Sequence, residues 1–275
     1  MRPARLPFLS EIQEGGGDIH EESACVPPSP PQFLNFQQGP TRPSTARGNG
    51  AGAARVGRRV SDAIKVDIWS DVQCPWCYIG KRKFEAGVAE FEGEVEVEYH
   101  SFELSPDTPV DFEGTPVDYL SQRKGLPTAQ VEQMLERVTG IARSVGLDYD
   151  YDHVHQTNTV ISHELLHFAK SKGRQLEMKE RLLKAYFING EHVGRIPDLV
   201  AIAVELGFDK AEVTEALESH QFLKDVKADV ALAREYGIQG VPFFVIDGKY
   251  GVSGAQEAAT FANVLAQVQS EKELA

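Results

Sequence analysis

The segment Ile64-Lys65-Val66-Asp67-Ile68-Trp69-Ser70-Asp71-Val72-Gln73-Cys74-Pro75-Trp76-Cys77-Tyr78-Ile79-Gly80 joins two periodicities through a cysteine pair. Ile64, Val66 and Ile68 alternate with Lys65 and Asp67, the period of two that marks a strand. After the pair, Cys77, Gly80, Phe84, Val88 and Phe91 fall on one face of a helix. Pro75 suits the first helical turn, where a missing N–H costs nothing. A Cys-x-x-Cys is half a zinc site, a structural disulfide or a redox pair. Structural zinc needs four ligands, and no second such pair exists in the chain. A pair that opens a helix directly after a strand is the setting for redox chemistry. Cys74 is expected at the helix N-terminus, where free N–H groups and the positive end of the dipole favour a thiolate. Cys77, one turn on, is expected on the buried face and less ionised. Those roles make Cys74 the nucleophile that forms a mixed disulfide and Cys77 the thiol that resolves it. Trp76 brings no full positive charge to the pair.

Working outward, Val95, Val97 and Tyr99 alternate with Glu94, Glu96 and Glu98 and predict a second strand with a solvated acidic face. From about Pro106 the period turns helical, with amphipathic segments near 116–124, 128–145, 158–172, 175–189 and 197–206. Asp209 with Glu212 forms a capping-box-like start to another helix, and 222–236 gives one more. Pro242-Phe243-Phe244-Val245-Ile246 is a short continuous apolar run, as expected of a strand buried on both faces. Asp247-Gly248 predicts a type I′ hairpin, Lys249 to Ser253 the return strand, and Phe261, Val264, Leu265 and Val268 a closing helix. The order implies an α/β sheet domain split between 62–105 and 221–270, an all-helical insertion at 106–220 and a short tail at 271–275.

Residues 1–61 differ in composition. They hold 8 of the 15 prolines and 8 of the 24 glycines, and seven arginines against five acids. With no apolar periodicity they predict a disordered, dispensable extension. Leu6 to Ile12 is too interrupted for a secretory signal, and the acids argue against a transit peptide. An alternative is that translation begins near Val60. Cys25, with no paired neighbour, is expected to be inert. Over the whole chain, hydrophobic residues make up 41% and charged residues 25%, as in ordinary globular proteins. The net charge of −13 argues against nucleic acid or an anionic membrane as partner. Three cysteines exclude a disulfide-stapled scaffold.

Asp71 to Gly80 resembles the active-site segment of the DsbA-like thioredoxin-fold proteins, in the FrnE-type branch. So do Phe102-Glu103-Leu104-Ser105-Pro106, Asn158-Thr159 to His163, Lys184-Ala185-Tyr186-Phe187, Gly240-Val241-Pro242-Phe243-Phe244 and Val252-Ser253-Gly254-Ala255-Gln256. The resemblance spans about residues 63–270. It implies an α/β thioredoxin fold with a large all-helical insertion and a thiol:disulfide oxidoreductase or disulfide isomerase working through Cys74 and Cys77. It also implies a cis proline at Pro242, with Val241 presenting backbone to a bound substrate strand. Pro75 and Trp76 would contact substrate too, and Asn158 and His163 would line a pocket. No cofactor is expected beyond the cysteines, with a low-molecular-weight thiol as co-substrate. The partners are then protein or small-molecule thiols and disulfides. The missing signal peptide suggests the cytoplasm, where the poise is reducing. A related branch, the chromene-carboxylate isomerases and kappa glutathione transferases, has serine at the first cysteine position. A thiol-dependent small-molecule isomerase or tailoring enzyme is therefore the alternative.

Two other patterns need weighing. His163-Glu164-Leu165-Leu166-His167 spells the zinc-protease signature. It requires a third ligand, and Glu177, Glu180 and Glu191 are candidates in no recognised motif; no metal is expected. Asp148, Asp150 and Asp152 mimic a calcium loop, but His153 and Thr159 stand where glycine and glutamate are required. His153 and His155 are expected as exposed loop residues.

Overall fold

The computed structural model describes residues 34–35 and 63–274. Two strands, β2 (Ile64–Ser70) and β3 (Val95–Ser101), flank helix α1 (Pro75–Ala89) and pair in parallel. The helical block follows as α2 (Pro116–Lys124), α3 (Thr128–Ser144), α4 (Val160–Ser171), α5 (Gln175–Phe187), α6 (Ile196–Glu205) and α7 (Lys210–Glu218). The chain returns through α8 (Leu223–Glu235) to a hairpin of β4 (Phe243–Ile246) and β5 (Tyr250–Ser253), then α9 (Ala258–Leu274). β4 pairs antiparallel with β2, so with a short strand β1 (Leu34–Asn35) the sheet runs β1-β5-β4-β2-β3. The added strand β1 lies antiparallel to β5. Those two residues depart from the disorder expected of 1–61, because the open edge of β5 offers their backbone a partner. The rest of that extension, with Cys25, lies outside the described residues. At the other end α9 continues through Leu274, so 271–274 is helix rather than tail.

Local chemistry accounts for these elements. Thr115 and Asp118 form a reciprocal capping box at α2, which ends on Gly125 at φ 63°. Asp209 accepts from Glu212 N at 2.9 Å to start α7. Asp247 and Gly248 both have positive φ, as a type I′ turn demands.

The sheet has a core on each face. Ile64, Val66 and Ile68 of β2, with Phe244 and Ile246 of β4, meet Phe84 of α1 and Phe261, Val264, Leu265 and Val268 of α9. The alternate residues Trp69, Phe243 and Val245 point the other way, into a larger core shared with the insertion. β4 is buried along its whole length, which explains its unbroken apolar run. The start of α1 is wedged between these layers, so Trp76, Cys77, Tyr78, Ile79, Gly80 and Lys81 are buried in succession.

The insertion is tied to the sheet by polar contacts as well. Gln175 of α5 accepts from Tyr99 N at 3.0 Å and donates to Tyr99 O at 2.8 Å. Asp229 of α8 accepts from Ser101 N at 2.9 Å, and Trp69 Nε1 donates to Asp229 O at 3.1 Å.

Candidate active site

Cys74 is the N-cap of α1, and Cys77 N donates to Cys74 O at 3.0 Å, closing the first turn. The two side chains are hydrogen-bonded to each other, and both cysteines are in the reduced, thiol form. The expected contrast in exposure is absent: Cys74 is 0% and Cys77 2% exposed. The Cys74 side chain does not cap the helix. Its Sγ instead donates to the carbonyl of Val241 at 3.5 Å. The sequence places Cys74 correctly on the helix but cannot see that the Val241 carbonyl, from a distant loop, captures its thiol.

Val241 and Pro242 close the site from the sheet side, and their peptide bond is cis. Gly80 makes room for them: a Cβ there would lie 2.9 Å from Pro242 Cγ. Tyr149 reaches across from the insertion and donates to Pro75 O at 2.7 Å.

The polar environment concentrates on Cys77. Burial pushes its thiol up, but the Cys74 side chain, the Lys179 charge, the Ser70 hydroxyl and the Asp71 backbone together bring it below the ordinary value. Asp71 is fully buried three residues before Cys74. It accepts from Leu104 N and Thr159 Oγ1, each at 2.8 Å, and its Oδ1 lies 3.3 Å from His163 Nε2. Burial alone would raise this carboxyl, yet His163 and those donors hold it at about 2.

Around the far side of α1, Glu180 of α5 contacts Lys81 at 2.6 Å, accepts from Tyr78 Oη at 2.7 Å and pairs with Arg82. Burial works against its ionisation, but Arg82, Lys81 and Tyr78 hold Glu180 at about 2.

The three polar residues of the protease-like signature go separate ways. His163 faces Asp71, Glu164 accepts from His220 Nδ1 at 2.8 Å, and His167 Nε2 lies 3.0 Å from Asp229 Oδ2. Among the described residues, the signature forms no cluster of metal-ligating atoms. Asp67, Glu98 and His100 do converge, but Lys65 and Lys170 already neutralise that group. His100 also bonds Asp229 at 2.9 Å and stacks on Trp69 at 4.5 Å. Its burial disfavours charge, but Asp229 and Asp67 raise it to about 9. Glu98 is thus part of a charged cluster rather than a freely solvated tooth of the acidic comb.

Beside the motif an apolar cavity of about 160 Å³ opens between Pro75, Trp76, Tyr119, Tyr151, Tyr186 and Phe187. Neither Asn158 nor His163 lines it. Asn158 donates to Pro106 O at 2.9 Å and accepts from Val160 N at 2.9 Å, while His163 is fully buried against Asp71.

Sequence reasoning missed Lys179, Tyr149 and the His100–Asp229 pair. A signal existed for the lysine alone: it falls on the apolar stripe of α5 with Met178, Leu182, Leu183 and Tyr186.

A family model described as a DSBA-like thioredoxin domain matches residues 65–266. The structure of a probable DsbA oxidoreductase from Streptomyces coelicolor is 36% identical and superposes with a TM-score of 0.71, covering 76% of this chain and 91% of that one. The uncharacterised protein YwbO of Bacillus subtilis is 29% identical over 213 residues, 76% of this chain and 99% of its own length. The fold is also similar to that of a cytosolic disulfide reductase, DsbM, from Pseudomonas aeruginosa, at 18% identity and a TM-score of 0.54, covering 77% of this chain and 100% of that one.

Proposed function

Since the chain belongs to the DsbA-like thioredoxin-domain family, we propose that it is a thiol:disulfide oxidoreductase or disulfide isomerase of the FrnE type. It works in the cytoplasm on protein or small-molecule disulfides, with no cofactor beyond its own cysteines. The observation that carries this reading is the reduced Cys74–Cys77 pair, side chain hydrogen-bonded to side chain at the start of α1 beside Val241 and Pro242.

The chemistry balances on the pair alone. Cys74 thiolate attacks a substrate disulfide, the substrate S–S bond breaks, and one substrate sulfur leaves as a thiolate that takes a proton from water. Cys77 thiolate then attacks Cys74 Sγ and expels the second substrate sulfur. Two electrons have passed to the substrate, and the pair is a disulfide. For isomerisation the second substrate sulfur is instead displaced by another substrate thiol, and the pair ends reduced. Because Cys74 is covered, an incoming chain must first displace its bond to the Val241 carbonyl, and an extended peptide can then pair with the carbonyl so freed.

The cavity beside Pro75 and Trp76 accepts one small group. A drug-sized ligand needs roughly 300–1,000 Å³, whereas about 160 Å³ is on the scale of one benzene ring. It therefore fits one apolar or aromatic side chain of a peptide. It also fits a single-ring metabolite, which is what favours the second reading, a thiol-dependent small-molecule isomerase. Turnover of an aromatic substrate with glutathione and no net redox change tests that reading.

The main test uses two variants. Cys74→Ser should abolish exchange with glutathione disulfide and protein disulfides, and Cys77→Ser should accumulate mixed disulfides that gel shifts and mass spectrometry detect. Full exchange in Cys74→Ser refutes the proposal.

A further inference from the structure

Lys179 is a lysine where the fold expects a hydrophobe. It is 0% exposed, and its Nζ has no hydrogen-bond partner. The ammonium sits over the Tyr99 ring, 5.4 Å from its centroid. It is held there by the polar clasp one turn earlier, where Gln175 grips both backbone groups of Tyr99. The neighbouring carboxylate, Glu180, is directed elsewhere, to Lys81, Arg82 and Tyr78. A lysine buried without a carboxylate partner is expensive, because transfer of an isolated charge from water is opposed by several kcal/mol or more. Burial pushes Lys179 below its ordinary value, and Cys77, Asp71 and Cys74 support the charged form against that.

The titratable and aromatic groups that act on it are few. Cys77 and Lys81 come from α1, Cys74 and Asp71 from the loop before it, and Tyr99 from β3. Lys81 repels it. Asp71 is already occupied by Leu104, Thr159 and His163. Apart from burial, which disfavours its charge, the largest influence on Lys179 is Cys77.

We propose that Lys179 is a positioning residue for the proposed exchange reaction: the helical insertion supplies, through α5, the counter-charge for the resolving sulfur. The inference rests on the exchange function proposed above. Lys179 changes no bond. When Cys77 attacks Cys74, the sulfur–sulfur bond to substrate breaks, the bond between the two cysteines forms, and the substrate thiolate leaves with the electron pair and is protonated by water. The lysine contributes by favouring the anionic form of the Cys77 sulfur, which burial disfavours. Once the pair is oxidised that anion is gone, and the ammonium remains buried against a neutral disulfide. Lys179 therefore favours the dithiol form, the form with which a reductase or isomerase attacks. The insertion takes part in the redox chemistry as well as in shaping a groove.

The test compares wild type with Lys179→Met, which keeps the length of the side chain without its charge, and Lys179→Arg, which keeps the charge. Thiolate absorbance near 240 nm is followed against pH, and the pair is titrated against glutathione. In Lys179→Met the thiolate midpoint should rise by about one unit, in line with loss of an opposite charge. The equilibrium with glutathione should move about tenfold toward the disulfide, about 30 mV. Lys179→Arg should lie nearer wild type. Unchanged titration and equilibrium in a folded Lys179→Met overturn the proposal, while failure of wild type to exchange disulfides overturns the function on which it rests. Should the methionine variant not fold, carbon-13 labelling of lysine in the full chain gives the answer in wild type. The Lys179 Cε titration should have a higher midpoint in the reduced protein than in the oxidised one, and equal midpoints refute the coupling.

Discussion

Replacing Asp71 by Asn measures what its buried charge contributes. The amide resembles the protonated carboxyl in shape and removes only the ionised state. In the folded chain this carboxyl is held at about 2, against an ordinary 3.8. Each unit is worth about 1.4 kcal/mol of differential interaction. The ionised form therefore contributes roughly 2 kcal/mol to stability at pH 7. The sign follows from the depressed folded value: the contribution is complete above the unfolded value near 3.8 and is lost as pH falls toward about 2. At pH 3 about half, roughly 1 kcal/mol, should remain. Equilibrium urea unfolding, followed by tryptophan fluorescence at pH 7, 5 and 3, reads this directly. Asp71→Asn should lose the same stability at pH 7 and pH 5 and visibly less at pH 3. A penalty below about 0.5 kcal/mol, the scale of an ordinary surface change, or one equal at pH 7 and pH 3, refutes the assignment of a paired buried carboxylate.

Gly80→Ala should cost about 1–3 kcal/mol by overpacking and slow exchange in the folded protein, because its Cβ meets Pro242 Cγ at 2.9 Å; unchanged exchange counts against the role of the Val241–Pro242 segment. Gly87→Ala, whose Cβ meets Ala258 O at 2.6 Å, should destabilise in thermal melts while leaving exchange per folded molecule intact. His100, raised to about 9 from 6.5, contributes stability that is complete below about 6.5 and lost as pH rises through about 9, on the order of 3 kcal/mol. Urea midpoints between pH 7 and 10 should fall in wild type and stay flatter in His100→Gln. Alkylation of the reduced wild type should be faster with iodoacetamide than with a bulky maleimide, since both sulfurs are covered; equal rates indicate an open site.

Most of the architecture was legible in local pattern. The alternation at Ile64–Ile68 and the apolar run at Phe243–Ile246 mark strands because side chains point alternately to two cores or are buried on both faces. Thr115-Pro116, Asp209 and Asp247-Gly248 fix boundaries through caps and positive φ. The site was legible as far as its sulfurs and the loop at Pro242. Its electrostatics were not, because they join residues distant in the chain: His100 to Asp229, Asp71 to Thr159 and Lys179 to Cys77. Cys74 shows the same limit. Helix-end physics predicts an accessible thiolate, and a carbonyl 167 positions away captures the thiol instead.

The clasp between Gln175 and Tyr99 has one more effect. β3 is the last strand on its side of the sheet, and its outward N–H and C=O at Tyr99 meet an amide side chain offering the same donor and acceptor as a neighbouring strand. Asp229 does likewise for the N–H of Ser101. A second molecule can thus find no free template on that half of the strand. Folding of the helices is then also a safeguard against polymerisation, and chains whose insertion has come undone are the ones that should seed aggregates.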